Sequence, residues 1–219
     1  MRRRLSIAIC LAGLPAAAAA GASIVDRIAV SVGNRVITET DLDREIRITA
    51  LLNGGKPDFS PANKRQTAER MVDQMLVRNE VEANRYPPPS AADTAAALAE
   101  EKARFGDDDA AYRRALAAYG VGEDELKSRL TWQLTLLRFI DVRFRPGIQI
   151  TGDEILKYFN EHMRAGLIEA HPGQTPSVDN YHAGIEQTLI GQAADQQVDQ
   201  WLREARRRTH IQYHDEVFR

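Results

Sequence analysis

The chain has 219 residues with 29 Lys+Arg against 31 Asp+Glu, a formal net charge of −2, and one cysteine, Cys10. A chain this long buries roughly 70% of its unfolded surface, so one or two cores form without covalent staples. Mixed charge with an acidic balance argues against nucleic acid as the main partner, and a single cysteine excludes a disulfide framework and a Cys-based metal site.

Arg2, Arg3 and Arg4 precede an apolar run from Leu5 to Leu14, then Pro15 and an alanine tract ending in Ala20-Gly21-Ala22. That is the layout of a secretory signal peptide cleaved before Ser23, with cleavage after Ala20 as an alternative. The run is shorter than the about 20 apolar residues of a membrane span, so stable insertion is not expected. Residues 1–22 carry three of the 29 Lys+Arg, Cys10 and none of the 31 Asp+Glu. The remaining chain, 23–219, is therefore thiol-free and five charges negative.

From Asp26 to Glu45 the sequence reads DRIAVSVGNRVITETDLDRE. Ile28, Val30 and Val32 alternate with Ala29 and Ser31, predicting a strand with the first three on one face. Gly33-Asn34 suits a tight reversal, and Val36 to Thr38 reads as the return strand. Thr40 with Asp43 resembles a capping box for a helix from about Asp41 to Leu52, stopped by Asn53-Gly54-Gly55. A hairpin alone is marginal in water, so it requires a further strand or a packed face.

Ser60-Pro61 supplies an N-cap and a first-turn proline for a helix to about Arg85, with Ala68, Met71, Val72, Met75 and Leu76 on one face. Pro87-Pro88-Pro89 forbids continuation. Ser90 with Asp93 opens an alanine-rich helix to Phe105 whose apolar face is thin; Gly106 closes it. Asp107, Asp108 and Asp109 suit a helix start and lack the spacing of a calcium loop; that short helix ends at Gly120.

The most hydrophobic helix spans Glu123 to Arg143. Leu126, Leu130, Leu134, Leu137 and Phe144 form one stripe, and Trp132, Leu136 and Phe139 a second. Two apolar sides mean that the helix is central or that one side meets something outside the domain. After Pro146-Gly147, Thr151 with Glu154 forms a capping box for a helix through Ile155, Tyr158 and Phe159. Residues 165–176 read as a loop, and a long helix follows from Val178 to Arg208. Arg206 to Arg208 favour its C-terminal dipole, a basic patch being the functional alternative. Ile211 and Tyr213 then alternate as a final strand, predicted to pair with the hairpin.

No glycine-rich phosphate loop, GxSxG elbow or HExxH is present. His210 and His214 share a strand face without a third metal ligand nearby in sequence. Nothing in the residues names a reaction, a cofactor or a metal.

AVSVGNRVITETDLD resembles the recurrent V-N-x-x-V-I-T-x-S-D-L pattern of the SurA/PrsA family of chaperones and peptidyl-prolyl isomerases. MVDQMLVRNEVE is similar to the family's L-I-x-x-x-L-I-x-x-E-A segment, and QITGDEILKYFNEH to the V-T-D-E-E-I-x-x-Y-Y segment that leads into the isomerase domain. The last helix and IQY resemble the segment that returns after that domain. Between Asn160 and Val178, however, there is no room for a domain of about a hundred residues.

The resemblance implies a mainly helical SurA-like chaperone domain over 23–219, with a small antiparallel sheet made by the N-terminal hairpin and the C-terminal strand. Its parts would be a helical portion to residue 164, a short link at 165–177 in place of an isomerase domain, and a returning helix and strand at 178–219. The implied function is ATP-independent holding of unfolded exported or outer-membrane polypeptides in the periplasm of a Gram-negative bacterium. A SurA-family prolyl isomerase and an assembly subunit with one dedicated partner are the alternatives. A holding groove needs adaptable apolar side chains; Met71, Met75, Trp132, Phe139, Phe144, Phe159 and Trp201 are the candidates, ordinary core being the alternative for each. A homodimer by exchange of the last strand is a further expectation, because one long helix alone ties that strand to the rest.

Overall fold

Gly33 adopts φ 59° in the turn between β1 (Ile28–Val32) and β2 (Arg35–Thr38), the left-handed conformation that glycine takes without a Cβ penalty. The computed structural model describes residues 26–106 and 108–219; the signal-peptide reading of residues 1–22, and Asp107, lie outside the described residues. The strands pair antiparallel, and β3 (Ile211–Tyr213) adds to the other side of β1, giving the order β2-β1-β3. Val30 stands opposite Tyr213 and Val32 opposite Ile211. The Gly33 amide donates to the His210 carbonyl at 2.8 Å and the His214 amide to the Ala29 carbonyl at 2.9 Å, extending the junction beyond the three strand residues. The predicted pairing of the chain's last strand with the hairpin is therefore present, in a fold that is mainly helical.

Two local expectations are corrected here. Ile28 pairs with Thr38 and Val30 with Ile37, so β1 takes two steps where β2 takes one. This bulge breaks the alternation: Ala29 and Val30 are both fully buried, while Ile28 is 42% exposed. The cap of α1 (Glu39–Asn53) is Thr38, not Thr40. Its hydroxyl accepts from the Asp41 amide at 3.2 Å, and its own amide donates to the Asp41 carboxylate at 3.1 Å. Thr38 has φ −95° and ψ 167°, extended geometry that serves as the last strand residue and the N-cap at once, so no loop intervenes.

Helix α2 (Pro61–Ala83) starts at the Ser60 cap and buries Thr67, Ala68, Val72, Leu76 and Val77. Its first turn is tied to α1 through Lys64, whose Nζ lies 2.8 Å from Glu39 and 3.4 Å from Asp43. The Ser90–Asp93 capping box opens α3 (Ala91–Ala103), whose one buried residue is Thr94. Asp108 caps α4 (Asp109–Tyr119), and Gly120 ends it at φ 62°. Helix α5 (Glu123–Arg143) runs over the predicted range. The Gly122 amide donates to the Glu125 carboxylate at 2.8 Å, half of a capping box without a hydroxyl.

The Thr151–Glu154 capping box opens α6 (Gly152–His162) as expected. Residues expected to be a loop instead begin with α7 (Arg164–Ala170). Ala165, Leu167 and Glu169 are good helix formers that outweigh Gly166, and Leu167 packs against the cluster of Ile155, Phe159 and Ile185. Only after His171 does Pro172-Gly173 stop the helix. The long last helix is split: a 3-10 turn at Val178–Asn180 precedes α8 (His182–Arg208).

Four apolar clusters result. The sheet, α1, α2 and the end of α8 enclose Ala29, Val30, Val32, Ile37, Leu42, Val72, Ala205 and Val217. Helices α1, α4 and α5 enclose Ile48, Tyr112, Leu126 and Leu130. A third cluster joins Val77 of α2 and Ala194 of α8 to Trp132, Phe139 and Phe144. The fourth lies between α6, α7 and the start of α8. Thus α5 changes partners along its length, and its leading stripe does not stay buried: Leu130 is 6% exposed and Leu137 54%.

Several caps and pairs hold carboxylates below their ordinary range. Lys64 lowers Glu39, the Gly122 amide lowers Glu125, and the Thr151 amide lowers Glu154. A depressed native pKa contributes stability above the unfolded value, 4.5 for glutamate, that is lost as pH falls through the native value. The thermal midpoint should therefore be level at neutral pH and fall steadily below about pH 4.5. Calorimetry between about pH 7 and about pH 3 checks this, and a midpoint that stays level contradicts it.

Candidate functional site

Helices α2 and α5 both rest on α1, and a cleft runs between them. It consists of two adjoining cavities of about 250 and 290 Å³ that share Arg78 and Ser128 in their walls. On α2 the wall is a stripe at helical spacing, Met71, Met75, Arg78 and Glu82. On α5 it is Glu125, Ser128, Arg129, Thr131, Trp132 and Thr135. Ile37 of β2 and Ile48 of α1 close the floor of the larger-walled end beside the methionines.

Ion pairs frame the cleft. Arg44 reaches Asp41 at 2.7 Å and Glu125 at 2.8 Å. Arg129 reaches Glu45 at 3.2 Å, a pair largely shielded from solvent. Arg35 of β2 pairs with Glu82 across to α2. Arg78 makes no such pair among the described residues. Its guanidinium carbon lies 3.8 Å from the centre of the Trp132 ring, a stacked cation–π contact. The side chain as a whole is solvent-accessible, yet the cleft walls desolvate the guanidinium and lower its pKa from the ordinary value.

The structure distributes the seven sequence-derived candidates over three places. Met71, Met75 and Trp132 reach the cleft. Phe139, Phe144 and Trp201 meet one another instead: Phe139 lies edge-on to Phe144 at 5.5 Å and to Trp201 at 5.7 Å. Phe139 is 1% exposed. Phe159 is buried in the α6–α8 cluster, against Tyr181 at 5.9 Å, and is not brought to the others.

Sequence reasoning missed Arg78, Ser128 and Arg129. A signal was present, because Arg78 and Glu82 continue the Met71–Met75 face in place of apolar residues. Charges on an otherwise apolar helical stripe mark a face that meets a partner across a gap.

The His214 ring nitrogen Nε2 lies 3.2 Å from the Ser31 hydroxyl. Among the described residues no cluster of three or more His, Cys, Asp or Glu is arranged to hold a metal. Among the same residues no helix is long and apolar enough to cross a membrane. Arg206 of the predicted basic turn is engaged, with Asp73 at 2.6 Å. Neither a protein-family model nor a curated protein matches the chain.

Proposed function

We propose that this protein is an ATP-independent chaperone that holds unfolded exported polypeptides in the periplasm of a Gram-negative bacterium, without prolyl isomerase activity. The observation that carries the reading is the α2–α5 cleft, where Met71, Met75 and Trp132 line cavities framed by ion pairs. Each cavity has room for single side chains of an extended chain rather than for a folded partner. Methionine conforms to varied side chains at modest cost, and a charged frame discourages irreversible association. The SurA/PrsA resemblance of AVSVGNRVITETDLD and the signal-like N-terminus support the same reading and its compartment. The span between Asn160 and Val178, filled by α7 and one turn, supports a holding role over an isomerase.

The protein lacking residues 1–22 is expected to suppress aggregation of a chemically denatured client at near-stoichiometric amounts with no nucleotide added, measured by light scattering. No protection at several-fold excess overturns the proposal. In a proline-limited refolding assay the slow phase, tens of seconds or longer uncatalysed, should keep its rate.

A further inference from the structure

Arg78 is the one cleft arginine whose charge is not already answered. Arg35 is paired with Glu82 and Arg129 with Glu45, and these same four side chains exert the largest charge effects on Arg78. Within this group of five, three guanidinium groups face two carboxylates, an excess of one positive charge. The opposite end of the cleft has the reverse balance, since Arg44 alone answers both Asp41 and Glu125.

Stacking on Trp132 restrains the guanidinium plane, and Arg78 stands in the walls of both cavities. Trp132 is 5% exposed, so its ring is held by the surrounding core and cannot swing away. A planar, preoriented fork of donors matches the two oxygens of a carboxylate. Ser128 lines both cavities together with Arg78, while Met75 lines one and Val81 the other. The Thr131 and Thr135 hydroxyls are not free to compete, for each donates to its own helix, to the carbonyls of Lys127 and Thr131, at 2.8 Å.

We propose that Arg78, stacked on Trp132, is a carboxylate-binding subsite that orients clients carrying an apolar residue next to a carboxylate. The inference rests on the holding reading above and supplies its substrate class. A C-terminal carboxylate and an Asp or Glu side chain offer the same two oxygens, and the cavity between α2 and α5 accepts either. The partial desolvation that lowers the Arg78 pKa also strengthens a charge-assisted hydrogen bond formed there.

The test uses short fluorescein-labelled peptides and fluorescence anisotropy on the protein lacking residues 1–22. One peptide ends in leucine with a free carboxylate, the second is its C-terminal amide, and the third is the amide with an aspartate before the leucine. A charge-assisted bond is worth about 1.5–3 kcal/mol, so the free acid should bind roughly 10- to 100-fold more tightly than the amide. If the third peptide recovers that affinity, side-chain carboxylates are recognised; if it does not, the chain terminus is the ligand.

Arg78→Gln should erase the difference between acid and amide while the amide's own affinity changes little. Arg78→Lys, which keeps the charge without the planar fork, should retain only part of it and serves as well if the glutamine variant does not fold. Equal binding of acid and amide by the unaltered protein overturns the subsite, as does a carboxylate preference that survives in a folded Arg78→Gln. Aggregation suppression measured in parallel separates the two proposals. Holding without carboxylate preference removes the subsite alone; carboxylate preference without holding removes the chaperone reading alone.

Discussion

Replacing Phe139 by alanine is expected to lower the unfolding free energy by about 3–5 kcal/mol, the range for a large buried aromatic. The ring is the meeting point of the third cluster. Tyr86 stands edge-on at 5.2 Å, Phe144 at 5.5 Å and Trp201 at 5.7 Å, so truncation removes three aromatic contacts and leaves a void among them. These side chains come from α5, the turn after it, the end of the α2 segment and α8, and collapse around the void would require all of them to move. Leu137, two residues earlier, is 54% exposed, and its alanine variant should fall within about 0.5 kcal/mol of the parent. Urea titration of both variants decides the matter. A Phe139→Ala midpoint close to that of Leu137→Ala would mean that the ring lies at a client surface rather than in the core.

Deleting residues 210–219 should remove the cooperative transition at ordinary temperatures. The segment supplies one whole edge of the sheet, the His210 carbonyl that receives the Gly33 amide, and Val217, which is 3% exposed in the first cluster. It also carries Tyr213, over which Arg65 of α2 stacks at 3.9 Å. Without it β1 and β2 are a lone hairpin, which is marginal in water, and Ala29, Val30 and Val32 lose cover. Burying one valine contributes about 1.5–3 kcal/mol. With the ladder and Tyr213 added, the loss is on the order of 5 kcal/mol, as large as the whole stability of many domains. Circular dichroism during heating reads the outcome; a sharp transition at the parent's temperature would show that the third strand is dispensable.

Where the sequence carried a self-contained signal, the element stands where it was expected. Ser90 with Asp93 and Thr151 with Glu154 satisfy their own helix starts through side chains three residues apart, and Ser60 does so by accepting from the Asn63 amide. They needed no knowledge of the rest of the chain. The closure of Ile211–Tyr213 on the hairpin was legible because a two-stranded ribbon needs support and a short alternating stretch follows the last helix. The bulge at Ala29 was not, since strand register depends on the partner strand and on what the faces bury. Helix α7 was hidden because Gly166, Pro172, Gly173 and Pro176 read as punctuation, whereas Leu167 has a tertiary contact that composition does not record.

The candidate site was legible by half. Apolar residue type led to Met71, Met75 and Trp132 but gathered buried Phe139, Phe144 and Phe159 with them, because type alone does not separate a groove from a core. Arg78 escaped because its significance lies in what it lacks, a paired carboxylate, and in a ring more than fifty positions away in the chain.

Ser31 and His214 touch across a sequence separation of 183 residues. For a chain synthesised from its N-terminus, this fixes an order of events. Helices α1 to α5 can associate early, but the sheet remains two-stranded until the segment at 211–218 has emerged. Forming so distant a contact is slow compared with local helix formation. During that interval the faces of Ala29, Val30 and Val72 stand open, so the newborn protein passes through the same exposed condition as the unfolded chains that it is proposed to hold.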